Sequence, residues 1–592
     1  MTVAPAIPRF RPRSSRREIL APTAAQLLEA RRRERAEALQ LARERTGLGF
    51  PGVAIVALNR MGFGPRPGDV AAFNALGADD DARLAAYVAQ QLNPDPVQAN
   101  DTEYHQRRMG LNGYPNPGYT TLGKTLTQLW QDHQTGGNQR GRPVEETRLN
   151  TYLRMVYSKW QLREVLADFW LNHFNVYGFE MYTQETFVHY DRDVIRANIF
   201  GNFRTMLEAV ARSTSMLYYL DNYTNTRNGP NENWARELFE LMTLGAENYY
   251  GVGSQASVPE WGAGVNWPPG TPSAGEPIPA GYVDNDVYES ARAFTGWGVS
   301  GTLGTFLYNA SNHDNFQKAV LSLGQVNIPP NQADEKDGED LLTMLAAHPG
   351  TGRYVARKLC RRLISDEPPQ ALVEIVGDLF TAQWQAPDQL KQVYAAILLS
   401  DEFKTTWGEK IKRPVEFSVS AMRALNANWN FGYSSQNPLT VESDTSNFIS
   451  RQTRTGHNLF ARVPPDGFGD REELWSSSNT RLQCWRLGSW LIDQDIDGSS
   501  SSDDFRLDVL GQTYAAFPAL PHQATSEQLV DLWISRVFRR ALEPAQRDEL
   551  IDFMAQGNSP TLALNLDASS SVRSRVRALV GLMFMTPEFL LK

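Results

Sequence analysis

Apolar residues recur at three- and four-residue spacing through most of this chain, the period of helices with one buried face, while strand-like alternation is scarce. The spacing predicts helices over 67–77, 80–93, 120–135, 145–157, 160–177, 184–198, 201–220, 231–245 and 284–296. It predicts more over 338–348, 350–365, 370–382, 387–404, 413–427, 442–456, 477–493, 503–515, 526–540, 544–556 and 570–584. Such a series points to an all-α fold, a multi-helix globular array with long Gly/Pro-rich loops and at most a small β-hairpin, read at GWGVSGTLGTFLYN. No repeat of fixed length occurs, which argues against a solenoid. Residues 251–281 are Gly-, Pro- and Ser-rich without periodicity and read as a long surface loop or lid. Three segments follow: a basic arm with a charged helix (24–46) over 1–48, a helical domain carrying the candidate site over 49–330, and a C-terminal helical domain packed on it over 331–592.

One predicted helix departs from the pattern. NENWARELFELMTLG (231–245) is capped by Asn around Pro230 and stopped by Gly245, and Trp234, Ala235, Leu238, Phe239, Leu241 and Met242 repeat as a buried face. Arg236, Glu237 and Glu240 crowd the remaining arc, where residues three apart are neighbours. Carboxylates so placed suit a general acid/base pair or a hard cation; an i, i+4 Arg236–Glu240 pair on a solvated face is the plain alternative. The Asn-rich approach, with Asp221, Asn222, Asn225, Asn228, Asn231 and Asn233, suits sugar hydroxyls or a divalent metal ion such as calcium, and equally suits capping.

Composition narrows the classes. With 592 residues the chain can bury a large core, and its two cysteines, Cys360 and Cys484, read as buried free thiols rather than a disulfide framework. A net charge of −9 with mixed signs disfavours nucleic acid. No run is apolar enough for a membrane span, and RFRPRSSRRE is followed by polar sequence rather than a signal core, so the expectation is cytoplasmic, or exported if a signal has been removed. Zincin, hydrolase-elbow, P-loop and Rossmann motifs are absent.

A second polar stripe, Asp286, Glu289 and Arg292, ends at Trp297 after a glycine, a ring-stacking platform or a Trp packed on its own helix end. His313 and Asp314 follow on loop sequence, where a histidine is available for proton transfer. His173 lies on an apolar face with Phe169 and Val176 and reads as a core histidine, with metal ligation as its functional alternative. His348, before Pro349, reads as a helix-boundary residue. Loop tryptophans (Trp261, Trp267, Trp297, Trp475) either line a binding surface or plug gaps.

DFWLNHFNV (168–176), MLYYLDN through NENWARELFELMTLG, DVYESARAFTGW (286–297), HDNFQK, AAHPGTGRYVARKLCRRLISDEPP and KRPVEF closely resemble the bacterial family catalogued as domain of unknown function 1800. The resemblance covers most of 50–592 and implies a mostly helical protein with no established activity. It also implies export and proximity to a sulfatase-like or phosphatase-like partner, and hence envelope or polysaccharide chemistry. Two residues depart from the family pattern: Met242 stands where His is usual, and Phe316 where Gly is usual. The 251–281 loop is also longer than the turn expected there.

The functional expectation is a hydrolase or lyase acting on a carbohydrate or envelope polymer. Glu237, Glu240, Asp286 and His313 are its catalytic candidates; Asn231, Asn233, Arg236, Glu289, Arg292, Trp297 and Asp314 are its substrate contacts. The alternatives are a noncatalytic scaffold or partner protein with buried polar networks, and a metal-dependent oxidoreductase using His173 and His313.

Overall fold

The computed structural model describes residues 50–95, 101–136, 139–493 and 507–592, so the 1–48 arm with its charged helix lies outside the described residues. Helices form nearly everywhere the three-four spacing occurs, several to within a residue or two: Asp80–Leu92, Gln370–Ala382, Ser443–Arg454 and Pro544–Ala555. The Trp297–Val299 strand pairs antiparallel with Phe306–Tyr308, the expected hairpin. A second pair of three-residue strands, Gln523–Thr525 with Ala563–Asn565, joins segments forty residues apart and has no periodic signal.

The centre is built from Arg142–Tyr157 and Gln161–His173, buried on nearly every side. One continuous apolar core runs from Val53 to Phe589, so 49–330 and 331–592 share it. Pro349–Leu363 and Gln370–Ala382 approach closely because Gly352 and Gly377 face each other; a Cβ on Gly352 would lie 2.5 Å from Thr381 Oγ1 and 2.7 Å from the Gly377 carbonyl. Among the described residues no helix is long and apolar enough to cross a membrane. Cys360 and Cys484 are free and buried, their thiols pushed by burial up to about 12 and about 11.

Periodicity over-joined some helices. The 201–220 segment is two helices, Phe203–Ala211 and Thr214–Tyr219, because Ser213 accepts from the Met216 N–H and starts a new one. The 184–198 segment turns from α to π geometry at Tyr190–Ile195.

The 251–281 loop is held at several points. Trp261 N–H donates to the Ile278 carbonyl (2.7 Å), Trp267 is buried edge-on to His348, and Gln255 donates to Asp286 (2.6 Å). His348 is a cap, as read: its Nδ1 accepts from Gly350 N–H and its Nε2–H donates to the Pro279 carbonyl, both at 2.9 Å.

Candidate functional site

The acidic helix starts as α over Asn233–Glu237 and continues as a π-helical turn over Leu238–Met242. Thr243 stabilises the wide turn by donating its hydroxyl to the Leu238 carbonyl five residues back (2.6 Å). Gly245 N–H reaches the Phe239 carbonyl (2.9 Å). Gly245 sits at φ +85°, and a Cβ there would lie 2.5 Å from the Tyr354 ring, so only glycine closes this turn. Turns of this kind inside helices concentrate at functional sites. This one leaves the Met242 carbonyl free to accept from His173 Nε2–H at 3.1 Å.

His173 is 1 % exposed, and burial, aided by the nearby Lys358 charge, holds it well below its usual range. It is therefore neutral, with its proton on Nε2, and its Nδ1 has no hydrogen-bond partner among the described residues. His173 forms part of the wall of a cavity of about 190 Å³ together with Lys358, Arg361, Asn172 and Asp466. Burial pulls the Lys358 amine down to about 8, against the charge of Asp470.

Asp466 links this cavity to the acidic helix. Glu237 makes no hydrogen bond or ion pair among the described residues, and its carboxyl is raised by burial, then by Glu240 and Asp466. Tyr219, raised by burial and by Glu180, Glu237 and Asp466, donates its hydroxyl to the Val463 carbonyl (2.5 Å). Beside it Tyr182 and Tyr218 stack at 4.3 Å, and Tyr223, 42 % exposed, leans on Tyr218 at 4.4 Å. Tyr182 adopts φ +73°, a conformation a bulky residue takes only under compulsion.

Arg236 is the hub of the outer face, with Glu232 at 3.1 Å, Asp284 at 3.4 Å and Glu240 at 3.5 Å. Asn231 is structural: its N–H donates to Asn225 Oδ1 (2.9 Å) and its Oδ1 accepts from the N–H of the exposed Asn233 (3.0 Å). Asn225 in turn donates to the Ala291 carbonyl (2.8 Å), tying the Asn-rich loop to the Asp284–Ala293 helix.

The second stripe forms a separate, hydrogen-bonded cluster. Asp286, 1 % exposed, accepts from Val283 N–H (2.9 Å), Leu321 N–H (2.8 Å) and Gln255, and burial raises its carboxyl. Arg292 grips Asp314 with two bonds (2.9 and 3.1 Å) and also binds Glu289 (2.7 Å). Burial works against the Asp314 charge, but Arg292 prevails and holds that carboxyl below its usual range. His313 is buried between the Thr295 carbonyl (2.8 Å) and Asp337 (3.2 Å), and the buried Lys318 also meets Asp337 (2.6 Å). Trp297 is 1 % exposed, edge-on to Phe294 and Phe306 at 5.1 Å, so it packs against its helix end and offers no open stacking face. Phe316 is 75 % exposed. Among the described residues no three His, Cys, Asp or Glu side chains are grouped to hold a metal ion, His173 and His313 included.

Beneath the cavity lies a buried ionic network that joins distant segments. Arg362 bridges Asp168 (3.1 Å), Glu416 (2.6 Å) and Asp470 (3.2 Å). Arg413 binds Asp168 and Asp470, and Lys592 binds Glu416 (2.7 Å). Burial opposes the Glu416 charge, but Lys592, Arg362 and Arg413 hold it well below the usual carboxylate range. Asp168, Arg362, Arg413 and Glu416 sit in DFWLNHFNV, ARKLCRR and KRPVEF, three of the motifs that carry the family resemblance.

A family model described as Protein of unknown function (DUF1800) matches residues 56–591. The chain belongs to the DUF1800 family. No curated protein and no solved structure matches it. In this DUF1800 member three of the family motifs, DFWLNHFNV, ARKLCRR and KRPVEF, therefore meet at one buried network. Lys358, Asp466, Tyr219 and the network residues escaped the sequence reading. A usable signal was present: Arg362 continues the Val355–Leu359 apolar stripe, and an arginine on a buried stripe implies buried carboxylates from elsewhere.

Proposed function

We propose that this protein is a hydrolase or lyase acting on a carbohydrate or other polyhydroxylated envelope polymer, with Glu237 as its general acid. One observation carries the reading: Glu237 is a half-buried carboxyl without a partner among the described residues, raised by burial and by the neighbouring charges of Glu240 and Asp466. Pairs of carboxyls whose environments push their proton affinities apart are the working parts of acid/base cleavage at a glycosidic oxygen. Glu237 protonates the leaving oxygen, while Asp466 or Glu240 activates water or steadies the developing cation. Tyr223, 42 % exposed, offers an aromatic face for a sugar ring. The test is release of reducing ends or unsaturated products from a polysaccharide panel by the wild type, Glu237→Gln and Glu240→Gln. Loss of about 100-fold or more in Glu237→Gln is expected, the scale of general acid catalysis. Unchanged rates in both variants rule the assignment out.

A second reading, a noncatalytic scaffold, is favoured by the closed network around Asp286, Arg292, His313 and Asp337, whose bonds hold helix and loop in register. It expects no product from any polymer and no effect of Glu237→Gln beyond stability.

A further inference from the structure

The cavity of about 190 Å³ beside His173 is lined by two polar groups that the described residues leave unsatisfied. His173, 1 % exposed, uses its Nε2–H on the carbonyl of Met242, which is not part of the wall, and its Nδ1 is an acceptor without a partner. The Lys358 amine, on the same wall, makes no hydrogen bond or ion pair among the described residues and lies 5.3 Å from the centroid of the Tyr354 ring. The His173 ring is 6.3 Å from that same centroid, so amine and imidazole flank one aromatic ring.

The acids of the wall are engaged elsewhere. Asp466 is held by Arg462 through two bonds (2.9 and 2.7 Å), and Asp470 by Arg362 (3.2 Å) and Arg413 (3.5 Å), none of these arginines being a wall residue. They reach Lys358 only at longer range: with Glu247 they favour its ammonium form and Arg361 disfavours it, but burial outweighs them and the amine stands at about 8. Near pH 7 roughly a tenth of such an amine is unprotonated, more than about a hundred-fold the share in an ordinary exposed lysine. The cavity has room for roughly six waters' worth of ligand. Leu474, 58 % exposed, and the exposed Arg471 belong to the same wall, which leaves the cavity open to small molecules from solvent. A desolvated amine without a bonded carboxylate, facing an open cavity, has the properties of an imine-forming lysine.

We propose that Lys358 is the nucleophile of a site that binds a small aldehyde or ketone as an imine, beside His173. The neutral amine attacks the carbonyl carbon, the C–N bond forms, and the carbonyl oxygen takes up the proton that the nitrogen gives off. The hydroxyl of this carbinolamine donates to His173 Nδ1. It then leaves as water, taking the second nitrogen proton, and the C=N bond is complete with no oxidant or reductant consumed. Neither Lys358 nor His173 enters the acid/base reading of Glu237, so the inference stands whether or not that reading does.

The test is reductive trapping of the full chain at pH 7 with glyceraldehyde or pyruvate and cyanoborohydride, followed by mass-spectrometric mapping of the lysines, for the wild type, Lys358→Met and Lys358→Arg. At least one probe should alkylate Lys358 about 10-fold faster or more than exposed lysines such as Lys336. Its rate should level off as the probe concentration rises, because binding precedes reaction. A response to glyceraldehyde alone points to a neutral carbonyl ligand, and a response to pyruvate alone to an oxo acid. Both variants should lose the fast-reacting site, with the other lysines labelled as in the wild type. The proposal is overturned if neither probe singles out Lys358. It is also overturned if labelling of Lys358 rises in proportion to the probe without levelling off, since Lys358 would then be an amine bathed by cavity water with no binding site around it.

Discussion

Glu237 and Lys358 are held against their ordinary protonation states by the same cause, burial, with opposite consequences for stability. A carboxyl raised in the folded state keeps its proton longer there than in the unfolded chain. Glu237 therefore lowers stability as pH rises from its ordinary value of 4.5 through the folded one, and Glu237→Gln should flatten that decline in denaturant titrations run at successive pH values. For Lys358 the amine is lowered from 10.5 to about 8, so the unfolded chain binds more protons between these values and wild-type stability rises across that window. Lys358→Met should accordingly be more stable than the wild type at pH 7, with the gain fading above pH 8 and absent beyond 10.5. At this scale the sequence was partly readable. Glu237 stood out as a carboxylate on a helix that did not need one, whereas Lys358 gains its character from burial and from Asp470, more than 100 residues away in the chain. Asp286 and His313 looked equally available in the sequence, but each is enclosed by backbone and side-chain partners that no local pattern reveals.

The acidic helix would present different groups if it were α-helical throughout. The π turn widens it between Leu238 and Met242, frees the Met242 carbonyl for His173, and depends on Thr243 and Gly245. Gly245→Ala should destabilise the protein by about 2 kcal/mol or more, combining a left-handed φ with contact on Tyr354. Thr243→Val removes one buried hydrogen bond and should lose about 1 kcal/mol. Equilibrium unfolding of both variants measures these values. Helix existence was legible because one-sided apolar stripes span most of the chain. Val53–Arg60 was missed for the opposite reason: all eight residues are buried, so it has no polar face to reveal its period. Breaks such as Ser213 and the π turns at 190–195 and 238–242 leave the apolar spacing almost intact and were invisible to it.

In the whole molecule, Arg362 and Arg413 bind carboxylates contributed by residues 168, 416 and 470, so the two long segments of the chain are joined by charge as well as by a common core. Removing one partner leaves buried charge uncompensated. Arg413→Met should destabilise by about 3–5 kcal/mol, read from denaturant midpoints. The network also reaches the wall of the cavity that Lys358 lines, through Asp470. The all-α class followed from spacing alone, but the convergence of 168–176, 356–362 and 412–417 is a tertiary fact. The central claim is that Glu237 carries a proton where an ordinary glutamate would not. It is tested most directly by carbon NMR titration of glutamate-labelled protein, with Glu237→Gln identifying the resonance. A midpoint above the ordinary value of 4.5 is the predicted result, and a midpoint at or below it contradicts the account.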